Sequence, residues 1–186
     1  MSELINELRR QLFHFGGLVF VVMSYFIPYY LFLYILIAGI FISFIFLPLK
    51  RFLGIKVLDD WLRKEERDNL FLKGIVFFLI GITSVLIFTR SFEIFRVAVL
   101  VLVLGDASST IVGKVFGTKK LPYNGNKTAE GTFAFFIFAF IGAFTQLPYF
   151  MAIITALFGA FVESLPLKID DNLTIPILVG VLLWLL

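Results

Sequence analysis

Seven apolar segments, each near the length of a membrane-crossing helix, make up most of this chain and constrain its fold more than any other feature. They run over Leu12–Ile27, Leu31–Leu47, Leu70–Phe88, Ile94–Val112, Thr132–Leu147, Pro148–Val162 and Leu173–Leu186. A hydrocarbon core takes about 20 apolar residues of helix, with roughly 17–25 tolerated, so several of these are short. The last barely spans at about 1.5 Å per residue. Pro28, Pro48, Pro148, Pro166 and Pro176 punctuate the segments at or near their ends. The chain is 60% hydrophobic with a mean hydropathy of +1.01, whereas globular chains run at about 45–50% apolar. The expectation is an all-α fold: a polytopic membrane helix bundle of about seven transmembrane helices. With no internal repeat or low-complexity linker, residues 1–186 read as one domain.

The absence of cysteine excludes disulfides and thiolate metal sites. The opening MSELINELRRQLFHF has no cleavable signal pattern, so the first apolar segment reads as a retained helix. A net charge of +3 gives no case for nucleic acid as a partner. The placement of charge says more than its sum. With the N-terminus in the cytoplasm, Arg9, Arg10, Lys50, Arg51, Lys56, Arg63, Lys64, Arg67, Lys73, Lys114, Lys119, Lys120, Lys127 and Lys168 fall on that side. Only Arg90 and Arg96 of the 16 basic residues fall on the other, as the positive-inside rule requires. Of the acidic residues, only Glu93 lies outside. The polar chemistry therefore belongs to the cytoplasmic face.

Four polar clusters map to that face. The stretch GDASSTIVGKVFG at Gly105–Gly117 follows the apolar run VAVLVLVL. Helical spacing puts Asp106, Ser109, Thr110 and Gly113 on one stripe, readable as a small-residue packing seam or as part of a metal-bound phosphate site. The loop GKVFGTKKLPYNGNKTAEGT interleaves Lys114, Lys119, Lys120 and Lys127 with Gly113, Gly117, Gly125 and Gly131. Glycines let backbone N–H groups approach an anion and lysines add point charge. Thr128 is placed to cap the next helix. The loop is not a P-loop, because no G-x-x-x-x-G-K-[ST] occurs. An ordinary basic cytoplasmic loop would read the same way. The third cluster is Glu163 with Asp170, Asp171 and Asn172: oxygen ligands beside Asp106 and Glu130, or a helix cap. The fourth is Arg9, Arg10 and His14, which serve either function or anchoring.

Taken together these residues resemble the CTP-dependent lipid kinase family, which includes dolichol kinase, phytol kinase and yeast-type diacylglycerol kinase. The family is distantly similar to phosphatidate cytidylyltransferases. Its pattern is met here by GDA at Gly105–Ala107, GKVFG at Gly113–Gly117, KTAEG at Lys127–Gly131, Glu163, DNLTIP at Asp171–Pro176 and the upstream RRQLFH at Arg9–His14. The cytidylyltransferases' K-D-x-G and later H-G-G are absent. The resemblance implies transfer of the CTP γ-phosphate to a membrane lipid alcohol (a polyprenol such as dolichol, a phytol-like alcohol or diacylglycerol), giving a lipid monophosphate and CDP. It implies Mg²⁺ on Asp106, Glu130, Glu163 and Asp171, which also carry catalysis. Nucleotide contacts would come from Arg9, Arg10, Gly113, Lys114, Gly117, Lys119, Lys120, Lys127, Thr128 and Asn172, with His14, Ser109, Thr110 and Asp170 as further candidates. The expected place is a cell or endoplasmic-reticulum-type membrane, with the site facing the cytoplasm and homo-oligomerisation left open. The alternatives are a cytidylyltransferase making a CDP-lipid and pyrophosphate, and a non-enzymatic transporter. The second fits poorly, because transporter sites lie near the bilayer midplane between repeats.

Overall fold

The computed structural model describes residues 14–53 and 68–186, and there the apolar runs form helices. In chain order these are α1 Leu18–Met23, α2 Tyr29–Leu53, α3 Asp68–Thr89, α4 Phe92–Val115, α5 Ala129–Phe144, α6 Tyr149–Ser164 and α7 Asp171–Leu185. Arg9, Arg10, Lys56, Arg63, Lys64 and Arg67 lie outside the described residues. Among those described, α4 is the one helix long and apolar enough to cross a membrane by length and composition. The segments Tyr29–Ile45 and Lys73–Thr89, with α5, α6 and α7, are shorter apolar helices. The helical bundle stands as expected.

Helix α4 forms the axis of the bundle. Phe95, Val97, Ala98, Val99, Val101, Leu102 and Val103 are all fully buried, and a helix apolar all round is one enclosed on all sides. It packs against α1, α3, α5, α6 and α7. Ser91 Oγ accepts from Ile94 N at 3.3 Å and caps its first turn. At that end Arg96 Nε donates to Gln146 Oε1 at 2.8 Å and its guanidinium lies 4.3 Å from the Tyr25 ring centroid, tying α4 to the ends of α1 and α5. The polar ends of α4, α6 and α7 lie opposite.

Three details depart from the sequence expectation. The first segment is helical over Leu18–Met23 rather than Leu12–Ile27, with residues 12–13 outside the description. Gly16–Gly17 interrupt it, because two glycines lower helix propensity by about 1 kcal/mol each relative to Ala. A Cβ on Gly17 would lie 2.8 Å from Phe78 and 2.9 Å from Val103, so this turn is also where the chain presses closest to α3 and α4. Pro176, expected at a segment boundary, lies inside α7. Its ring meets α3 at Gly81, where an added Cβ would come within 2.9 Å. Finally, the basic loop is not wholly irregular: β1 (Lys120–Leu121) and β2 (Asn124–Thr128) pair antiparallel. The fold is helical with one small hairpin, and that hairpin carries a site residue.

Candidate functional site

The crossing of α4 and α5 builds the floor of the site. Gly105, Ser109 and Gly113 recur every four residues along one face of α4. An added Cβ at Gly105 would lie 2.7 Å from the Phe135 ring, and one at Gly131 would lie 2.9 Å from Ser109 O and 3.3 Å from Gly113 Cα. The small-residue stripe is therefore a packing seam, and it brings Ser109 up against the end of α6. Thr128 Oγ1 accepts from Gly131 N at 3.2 Å, so the expected cap of α5 forms.

Glu163, in the last turn of α6, is the centre. Its side chain is 1% exposed. Oε1 accepts from Ser109 Oγ at 2.9 Å and from Lys127 Nζ at 2.6 Å, and Oε2 accepts from Thr132 Oγ1 at 3.4 Å. Lys127 Nζ also donates to Asp171 Oδ2 at 2.9 Å. One ammonium thus joins a buried carboxylate of α6 to a half-buried carboxylate at the start of α7. A buried ion is tolerated only when paired and hydrogen-bonded, and both conditions hold. Burial opposes the charge on Lys127, but Glu163, Asp171 and Asp106 outweigh it and push its pKa up.

The hairpin delivers Lys127. Tyr123 Oη donates to Ser164 Oγ at 3.0 Å and Asn124 Nδ2 donates to Ser164 O at 2.9 Å, pinning the hairpin to the C-terminal end of α6. The register pairs Lys120 with Thr128 but Leu121 with Asn124. Gly125, Asn126 and Lys127 therefore have no counterpart between the neighbours Lys120 and Leu121. Such an irregularity re-aims a side chain, and here it turns Lys127 inward to Glu163.

Asp106 completes the group. It is close enough to Lys127 and Asp171 to act on both charges, and its side chain is 15% exposed. Its Oδ2 lies 3.7 Å from His14 Nε2, beyond hydrogen-bond length. His14 Nε2 is buried with no partner among the described residues, and the ring packs edge-on to Phe78.

The acidic stretch divides its labour. Asp170 Oδ1 accepts from Asn172 N at 2.9 Å and caps α7, which leaves Asp171 for Lys127. Asn172 turns its amide toward α3, where a Cβ on Gly74 would meet Nδ2 at 3.3 Å, and its Oδ1 is buried and unpartnered among the described residues. Glu130 stands apart from the group around Lys127. Its carboxylate accepts from Thr118 Oγ1 and from the backbone N of Lys119 at 3.2 Å, bracing the turn before β1. Lys119 and Lys120 are exposed, Lys114 ends α4 where a cation complements the helix dipole, and Thr110 is half-buried. Gly113 and Gly117 pack close to Thr128 Oγ1. Sequence reasoning missed Thr132, Tyr123, Asn124 and Ser164 as site supports. The turn pattern in LPYNGN was the available signal for the hairpin that brings in two of them.

Among the described residues no three His, Asp or Glu side chains form a ready-made metal cage. The donor set nevertheless fits Mg²⁺. Its oxygens are hard, Glu163 and Asp171 already converge on one cation, the Lys127 ammonium, and Mg²⁺ normally takes one or two carboxylates and fills its shell from phosphates and water.

Comparison with known proteins agrees with the motif pattern. The chain is 34% identical over 142 residues to a chloroplastic farnesol kinase of Arabidopsis thaliana, covering 66% of this chain and 46% of that protein. It is 28% identical over 132 residues to chloroplastic phytol kinase 1 of the same plant, covering 61% and 43%. An uncharacterized protein of Methanocaldococcus jannaschii is 35% identical over 130 residues, covering 68% and 65%. The chain thus spans less than half the length of these two plant relatives. No family profile and no solved structure matches it. The named relatives and the motif pattern thus point the same way: over 66% and 61% of its length the chain is similar to plant farnesol and phytol kinases.

Proposed function

We propose that this chain is an integral-membrane kinase that transfers the γ-phosphate of CTP to an isoprenoid alcohol, with its polar face in the cytoplasm. The observation that carries the reading is the Lys127–Glu163–Asp171 network with Asp106 beside it, built at the ends of apolar helices. A soluble nucleotide and a bilayer-dissolved alcohol share only that boundary. The bundle's outer surface suits lipid: Phe26, Phe133, Phe150 and Trp184 are each more than half exposed, and such a surface in water is an aggregation hazard. The names of the plant relatives point to farnesol and phytol as the acceptor class.

Phosphoryl transfer depends on positioning and charge neutralisation more than on covalent chemistry. Asp106, Glu163 and Asp171 would hold Mg²⁺, which supplies charge neutralisation at the phosphate oxygens. Lys127 and the hairpin backbone lie next to where the phosphates would rest. Glu163 is committed to three donors, so it orients Ser109, Thr132 and Lys127 rather than moving protons. Asp106 accepts no hydrogen bond on its carboxylate among the described residues, and its lone pairs remain for the metal or for the proton of the attacking hydroxyl.

The test is purified protein in phosphatidylcholine vesicles with Mg²⁺, γ-labelled CTP and, in turn, farnesol, phytol, geranylgeraniol, dolichol and diacylglycerol. Label should appear in the monophosphate of an isoprenoid alcohol. Folded protein that labels none of the five would overturn the reading, and label in diacylglycerol alone would overturn the acceptor class.

A further inference from the structure

Lys127 carries two expectations that compete for one ammonium. It belongs to the glycine–lysine loop expected to meet nucleotide phosphates, yet its Nζ lies 2.6 Å from Glu163 Oε1 and 2.9 Å from Asp171 Oδ2. Two carboxylates near a shared point repel unless a cation lies between them. In this structure that cation is Lys127.

We propose that Lys127 is an exchangeable counter-ion, holding the divalent-cation position between Glu163 and Asp171 until nucleotide arrives and then leaving it for the phosphates. Cation and nucleotide then bind well only together. The identity of the nucleotide rests on the kinase reading, whereas the exchange stands on the geometry around Nζ.

Three observations support an ammonium that leaves rather than a permanent brace. The carboxylate it pairs with is fixed without it, because Ser109 and Thr132 also donate to Glu163. The side chain of Lys127 is 25% exposed against 1% for Glu163, so the cation has a path outward that the anion lacks. Lys127 also lies in the part of β2 whose register with β1 shifts, two residues from Gly125, where an added Cβ would meet nothing within 4 Å. A lysine is suited to the exchange, being a compact charge on a flexible four-carbon stem. When it leaves, Glu163 and Asp171 face the incoming cation with full charge, and the departing charge is matched by phosphate. Linkage makes the effect mutual: whatever factor nucleotide adds to cation affinity, the cation adds to nucleotide affinity.

The experiment measures Mn²⁺ binding by electron paramagnetic resonance, with and without CTP and without alcohol, for the wild-type protein, Lys127→Met and Lys127→Gln. In the wild type, CTP should raise Mn²⁺ affinity on the order of tenfold to a hundredfold. In Lys127→Met, Mn²⁺ should bind without CTP more tightly than it binds the nucleotide-free wild type, and CTP should add less to that affinity than it adds in the wild type. Lys127→Gln keeps a donor for Glu163 while removing the charge, so it reports the same result if the methionine variant does not fold. Nucleotide-free Mn²⁺ affinity in either folded variant no higher than in the wild type would overturn the exchange, as would equal wild-type affinity with and without CTP. The kinase reading fails by a different result, the absence of labelled lipid from active-site-intact protein.

Discussion

If the chain is the proposed kinase, Asp106→Asn should sharply reduce phosphoryl transfer and leave the protein folded. The expected loss of turnover is on the order of a hundredfold to a thousandfold, the scale for removing one charge-stabilising group from a pre-organised site. Folding is spared because the Asp106 carboxylate makes no hydrogen bond among the described residues, and His14 Nε2 lies 3.7 Å from it. Asn fills the same volume, and removing a charge that acts on Asp171 relieves repulsion between two carboxylates. The same change removes an attraction for Lys127, so the two effects offset and thermal unfolding of the variant should occur close to the wild-type temperature. Wild-type turnover in Asp106→Asn would return this residue to the packing seam it adjoins.

Glu163→Gln should also reduce transfer, but at the expense of the fold. The side chain is 1% exposed and accepts from Lys127, Ser109 and Thr132. Removing one partner of a buried ion pair costs about 3 kcal/mol, because the other charge stays buried. For a chain of this size that is a fall in melting temperature of roughly 6–12 °C. Lys127 keeps Asp171 as a partner, which places the loss at the low end of the usual range. A second substitution separates the pair from the position: Glu163→Gln combined with Lys127→Met removes both charges and should regain much of the lost stability. No recovery in the double variant, or no loss in the single one, would show that the ion pair does not contribute to the stability of the fold.

These two carboxylates had the same standing in the sequence, and the difference between them arises from packing. Pattern alone located the apolar helices and the cap at Thr128, because periodicity and turn chemistry are local; it grouped Asp106, Glu163 and Asp171 with Glu130 and assigned Lys127 to the phosphate loop instead. It did not locate what tertiary contact decides. Asp170, Asp171 and Asn172 are interchangeable as caps by residue type, and only the entry angle of α7 makes Asp170 the cap and frees Asp171 for Lys127. Glu130 falls in a motif with Lys127, yet the hairpin turns the two apart, sending Glu130 to Thr118 and Lys127 to Glu163. The hairpin itself left a misleading trace. Asn124-Gly125 is the usual two-residue turn signal, whereas the observed turn is Pro122–Tyr123, since Leu121 pairs with Asn124. Glycines read as an anion cradle proved to be contact points: Gly113 and Gly131 let α4 and α5 approach within reach of Ser109 and Thr128. Chemistry was legible where it depends on residue type, and not where it depends on which helix lies opposite.

The most direct measurement follows the two ends of the nucleotide in one reaction. Purified protein in vesicles containing farnesol or phytol, together with phosphatidate as the lipid phosphate that a cytidylyltransferase requires, is given Mg²⁺ and CTP with distinguishable labels on its α- and γ-phosphates. The kinase reading predicts γ-label in the lipid, α-label in CDP and no pyrophosphate, with both labels remaining in CTP in Asp106→Asn. Transfer of the α-label to lipid with release of pyrophosphate would contradict it and make the chain a cytidylyltransferase.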